Sequence, residues 1–227
     1  MYKLARVLRD RESKKRTMTF LVFLFSSLGI LIQIGSTLFG SRQLEFLGLN
    51  YIYFTTQSNL LLIIVSALYL FKKETPKWLP NLAFIALINI FITGVVFHIL
   101  LTPYMSSVSF LNHMLHTINP ILYILFYYLI LPDHIEPKKF YISLIYPLIF
   151  MAFVYLFVEP IFGDLLDQLM PDYVGARFVY PFLDPKTYDS GVRGLAFFNL
   201  GILAPIIALT SYLMAFLKSK FEIKINN

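Results

Sequence analysis

The chain reads as an all-α, polytopic membrane protein with six transmembrane helices, and three observations carry that reading. Of its 227 residues, 58% are hydrophobic and only 14% charged, far from the balance of a soluble domain. Several apolar runs reach the roughly 20 residues that a helix needs to cross a bilayer. The lysines and arginines are segregated along the chain rather than scattered through it. There is no cysteine, which excludes disulfides, thiol catalysis, thiolate metal sites and iron–sulfur clusters. Membrane topology accounts for the net charge of +6, so nucleic acid is not an expected partner.

The spans are expected near 17–39, 51–71, 80–101, 111–131, 140–158 and 194–217, in one domain covering 1–227. The first apolar run is longer than the core of a signal peptide and has no small-residue cleavage site, so it is read as an uncleaved span. The basic residues ahead of it form either a short interfacial helix, with Leu4, Val7 and Leu8 on one face, or a disordered tail. The gap 159–193 carries Asp164, Asp167, Asp172, Asp184 and Asp189 and is too charged to be a seventh span. No internal repeat suggests a transporter built from paired halves.

Orientation follows from the basic residues. Seven precede Thr17; Lys72, Lys73 and Lys77 follow the second span, Lys138 and Lys139 the fourth, and Lys218, Lys220 and Lys224 the sixth. Only Arg42, Arg177, Lys186 and Arg193 fall on the other side. Both termini are therefore expected in the cytoplasm.

Except for Asn89 and Thr93, that topology gathers nearly all the unusual polarity into one layer, in the outer leaflet. Thr55-Thr56-Gln57-Ser58-Asn59 lie within two turns of the outer end of span two. His98 lies one turn from the outer end of span three, and His113 and His116 within two turns of that of span four. The polar run is not a cap outside the membrane. From Leu60 only about twelve residues remain before Lys72, or roughly 18 Å of helix against a core of about 30 Å. A polar cavity open to the outer side is the economical reading. Asn112, His116, Asn119 and Tyr123 share a face of span four by i, i+4 and i+7 spacing. Pro120 lacks an N–H and clashes with the carbonyl of His116, so the helix is expected to bend or loosen there.

Three segments are similar to a known family. Tyr53-Phe54-Thr55-Thr56-Gln57-Ser58-Asn59-Leu60-Leu61, Leu111-Asn112-His113-Met114-Leu115-His116-Thr117 with Pro120, and Val179-Tyr180-Pro181-Phe182-Leu183-Asp184 stand in the order of the family's motifs. The chain resembles the androgen-induced and androgen-dependent (ADTRP-type) six-span membrane hydrolases and their bacterial relatives, the Pr-six-Pr family. The resemblance implies hydrolysis of fatty-acid esters by a membrane-embedded threonine and histidine, here Thr55 and His116, in a bacterial plasma membrane. The continuation Thr56-Gln57-Ser58-Asn59 is more polar than in the animal enzymes.

The implied chemistry makes the Thr55 hydroxyl a nucleophile and the His116 imidazole its general base, a dyad rather than a triad. Gln57, Asn59 and Asn112 are candidates to donate to the oxyanion or orient the imidazole. Ser58, His98, His113 and Asn119 are supporting candidates in the same layer. The Tyr180 to Pro185 stretch, with Asp184 capping or pairing with Arg177 or Arg193, either anchors the outer loop over the cavity mouth or forms an aromatic belt. No metal or cofactor is expected: the spacing of His113 and His116 lacks the i, i+4 geometry of helical zinc motifs. Haem ligation by His98 and His116 would provide a single site, not a transmembrane electron path. The expected partners are membrane lipids and a lipid or fatty-acid ester. Competing with catalysis are the ordinary roles. An intramembrane threonine usually bonds its own i−4 carbonyl, His98 would pair with a neighbouring helix, and His113 would face headgroups. On those readings the chain is a small transporter or an assembly partner with a polar cavity.

Overall fold

The computed structural model describes residues 2–39, 48–105, 107–131 and 135–226, so Arg42 and His134 lie outside the described residues. Every regular element among them is helical. Five stretches are long and apolar enough to cross a membrane: Glu12–Phe39, Phe54–Phe71, Leu79–Leu101, Pro137–Leu169 and Val192–Phe221. The segment expected as the fourth span is helical over 110–129 but is not among the five. Asn112, His113, His116 and Asn119 dilute its apolarity.

The chain divides into two compact units, Met1–Glu136 with Leu217–Asn227 and Pro137–Phe216. In the first unit α1 (Tyr2–Phe39) packs on α2 (Phe54–Phe71), α2 on α3 (Leu79–Val96), and α3 on α5 (Asn119–Leu129), which also meets α1. The basic N-terminal residues continue α1 without a break, neither a separate interfacial helix nor a tail. The core is centred on α3, where Ala83, Phe84, Ala86, Leu87, Ile88 and Ile90 are fully buried. Small residues at Ala83, Ala86 and Gly94 let neighbouring backbones approach closely, the usual basis of helix packing in lipid.

Lys218 is a buried cation in this unit, with its Nζ donating to the carbonyls of Leu131 at 2.6 Å and Tyr128 at 3.3 Å beside the Tyr127 ring. It satisfies carbonyls at the C-terminus of α5 that have no intrahelical donor. Lys218→Met leaves them without that donor. The expected loss is about 2 kcal/mol of stability, read as a lower Tm in detergent.

The second unit contains α6 (Ile145–Phe153), α7 (Glu159–Leu169), α8 (Val192–Ala196) and the start of α9 (Ala204–Asn226). Helix therefore runs past 158, and the loop proper begins after Leu169 rather than at Glu159. Arg177 explains how the acidic residues are accommodated. Its guanidinium pairs with Glu159 at 2.8 Å, Asp167 at 3.1 Å and Asp164, and these contacts raise its pKa, Glu159 most. Gly163 lies beneath it, where a Cβ would come within 2.9 Å of the guanidinium.

One irregularity recurs in both units. The helical ladder widens to i→i+5 over Phe97–Leu101, Met114–Ile118, Val154–Val158 and Phe197–Leu203. A proline follows two residues after each: Pro103, Pro120, Pro160 and Pro205. In each case the residue before the proline donates to the carbonyl five back, as Asn119 does to Met114. The next carbonyl would need the proline's N–H, which does not exist, while the ring pushes away the carbonyl four back. Proline thus dictates each widened turn from the sequence.

Candidate active site

Thr55 stands in the first turn of α2, whose N-cap, Tyr53, offers no side-chain hydrogen bond. Its hydroxyl, like those of Thr56 and Thr117, meets a side chain of another helix, whereas six others bond within their own. Thr19, Thr37, Thr93, Thr102, Ser66 and Ser211 each bond the carbonyl four residues back. For Thr55 that carbonyl belongs to Tyr51, which precedes the helix and is taken by Gln57 Nε2 at 2.9 Å. Thr55 Oγ1 lies instead 3.1 Å from His116 Nε2.

His116 sits in the widened turn Met114–Ile118, which joins α4 (Phe110–His113) to α5. Its Nδ1 is 2.9 Å from the Asn112 carbonyl. A carbonyl only accepts, so Nδ1 carries the proton and the neutral ring has Nε2 free to accept. The Thr55 hydroxyl therefore donates to Nε2, the direction that proton abstraction requires. The backbone carbonyl of Asn112, rather than its side chain, thus orients the imidazole.

Two further groups fix the ring. Phe97 stacks on the His116 imidazole with centroids 3.9 Å apart and planes at 17°, and is itself 2% exposed. Gly94 lets α3 approach the same turn, since a Cβ there would lie 3.0 Å from the His116 carbonyl and 3.4 Å from Pro120. Sequence reading missed Phe97 because an aromatic residue in an apolar helix carries no signal of its own. Its position beside His98, at the start of a proline-widened turn, is the available clue. Phe97→Ala removes the stacking face, worth about 1 kcal/mol, and is expected to lower stability by that amount, read as a lower Tm in detergent.

The supporting residues divide by what they touch. Asn59 Nδ2 donates to the carbonyls of Thr55 at 2.9 Å and Leu115 at 3.3 Å, and Asn119 Nδ2 donates to Asn59 Oδ1 at 2.7 Å. With both hydrogens of its amide engaged, Asn59 is not an oxyanion donor. Gln57 is held by Tyr51 and Ser58 is fully buried. His98 Nε2 meets Thr117 Oγ1 at 2.9 Å on the neighbouring helix, the structural partnership weighed above, and His113 is exposed. Among the described residues no group of three His, Asp or Glu is placed to hold a metal.

Tyr180 and Asp184 belong to the second unit, where they order its loop. Tyr180 stacks on Phe182 at 5.3 Å, and the Asp184 side chain accepts from the Lys186 N–H at 2.8 Å, capping a short helical turn. Asp184 caps, as anticipated, whereas Arg177 pairs with Glu159, Asp164 and Asp167. Tyr180, Pro181, Leu183 and Asp184 are buried, so the stretch is loop core rather than an aromatic belt.

Fold and site together define a helical membrane protein in which buried polar side chains hold a threonine against a histidine. No protein-family model matches the chain, and no curated protein or solved structure shows significant similarity to it.

Proposed function

We propose that the chain is an integral-membrane lipid-ester hydrolase that uses Thr55 and His116 and opens to the outer leaflet of a bacterial plasma membrane. It has six spans, with both termini in the cytoplasm, and belongs with the six-span hydrolases whose motifs it resembles. The observation that carries the reading is the relay from Thr55 Oγ1 to His116 Nε2 at 3.1 Å and from Nδ1 to the Asn112 carbonyl at 2.9 Å.

The reaction divides into two transfers. As Oγ1 attacks the ester carbonyl, its proton passes to Nε2, and the tetrahedral intermediate collapses by breaking the bond to the alcohol oxygen. Nε2 returns the proton to that oxygen, leaving an acyl-threonine. Water then gives a proton to Nε2 as its oxygen attacks the acyl carbon. The bond to Oγ1 breaks, Oγ1 regains the proton, and a fatty acid leaves. The first turn of α2, which carries Thr55, puts the positive end of the helix dipole towards the carbonyl oxygen on which negative charge develops.

The test uses purified protein with long-chain p-nitrophenyl esters and a fluorophosphonate probe. Wild-type turnover and labelling that disappear in both Thr55→Ala and His116→Ala support the assignment, and retention in either variant refutes it. Topology is separately testable because the chain has no cysteine to mask. On intact cells an impermeant maleimide is expected to label Ser190→Cys and not Ser13→Cys; the reverse pattern overturns the orientation.

A further inference from the structure

We infer that Asn59 is a positioning residue for the Thr55–His116 pair, its amide substituting for the N–H that Pro120 lacks. The inference rests on the reading of that pair as a dyad. Asn119 N–H bonds the Met114 carbonyl, so the next carbonyl of the i→i+5 ladder, that of Leu115, falls to residue 120. Proline has nothing to donate. Asn59 Nδ2 reaches that carbonyl from α2 at 3.3 Å. Asn59 is fully buried and Leu115 is 3% exposed, so the carbonyl depends on a protein donor.

The same nitrogen donates to the Thr55 carbonyl at 2.9 Å. One amide therefore ties the backbone of the hydroxyl-bearing residue to that of the residue preceding His116. Its orientation is determined: both carbonyls only accept, so the end facing them is NH2, and Asn119 Nδ2 donates to Oδ1 at 2.7 Å on the other side. The widened turn at His98 is repaired locally, by the Thr102 hydroxyl bonding the His98 carbonyl at 2.8 Å. At His116 the repair comes from the helix that carries Thr55. Repair and alignment are thus the same contact.

The experiment is 15N-histidine NMR of the full chain in lipid nanodiscs, with His116 assigned through His116→Gln and ester turnover measured in parallel. Thr55→Val, which removes the hydroxyl, gives the reference position of an Nε2 without its hydrogen bond. Asn59→Leu is expected to move the Nε2 resonance to that reference although Asn59 does not touch the ring. Its kcat is expected to fall about 100-fold, with KM changed by no more than about threefold. A wild-type Nε2 resonance and wild-type kcat in Asn59→Leu overturn the inference, whatever happens to Tm. Where Asn59→Leu does not insert, Asn119→Leu, which frees the Asn59 amide to rotate, carries the test. A displacement of Nε2 towards the reference supports the inference and an unmoved resonance overturns it. A wild-type protein that hydrolyses no ester but shows the Nε2 shifts refutes the proposed function and leaves the positioning role standing. A resonance that Thr55→Val does not move refutes the dyad itself.

Discussion

His116→Ala is expected to lower ester turnover by about 10³-fold, and Thr55→Ala by a similar factor. The reason lies in the direction of their hydrogen bond. The Asn112 carbonyl keeps the imidazole proton on Nδ1, so the Thr55 hydroxyl can only donate to Nε2. An unaided hydroxyl is a poor nucleophile, and the base raises its reactivity as the proton leaves. Because the two groups act as a unit, Thr55→Ala/His116→Ala is expected to be no slower than either single variant, a non-additivity that independent contributions would not give. Turnover should also fall on acidification, since a protonated Nε2 has no lone pair to receive the hydroxyl proton. A kcat profile from acid to neutral pH checks the sign: a rate that rises with pH agrees, and one that falls does not.

The second large effect is expected at a residue that touches no substrate. Pro120→Ala restores an N–H at position 120 and removes the ring that forces Met114–Ile118 into its widened turn. If the turn tightens to α geometry, everything before it rotates by about 100° per residue removed from the bulge. His116 then leaves the face that meets Thr55. The expected result is a fall in kcat of about 100-fold with helix content preserved, read by turnover and circular dichroism on the same preparation. Gly94 presses on the same turn from α3, so Gly94→Leu should fail in the same manner, by pushing against the His116 carbonyl rather than by relaxing the helix.

The widened turn also marks how far the sequence could be read. That Pro120 disturbs the helix at His116 follows from the chemistry of proline alone. That the disturbance is an i→i+5 turn, and that the carbonyl it orphans is that of Leu115, required the ladder itself. The proximity of Thr55 to His116 was legible through topology, since both positions count to the same depth from their span ends. The side-chain relay was not, because the rotamer of His116 depends on a backbone carbonyl one turn away and on the face of Phe97. Neither partner has a sequence signature. The polar residues Tyr180 and Asp184 were noticed for their composition, but their work is internal to the loop they build. The segment after Leu169 likewise looks like a charged connection, and only Arg177 meeting three carboxylates shows how it is tied to α7.

Mass spectrometry of the acyl-enzyme tests the central claim most directly. Purified protein is mixed with an excess of long-chain p-nitrophenyl ester, quenched in acid within the first turnovers, digested and sequenced. The account predicts an acyl mass on the peptide containing Thr55, localised to that residue, absent in Thr55→Ala and formed far more slowly in His116→Ala. Turnover without any acyl-peptide, or an acyl group localised to another residue, would contradict it.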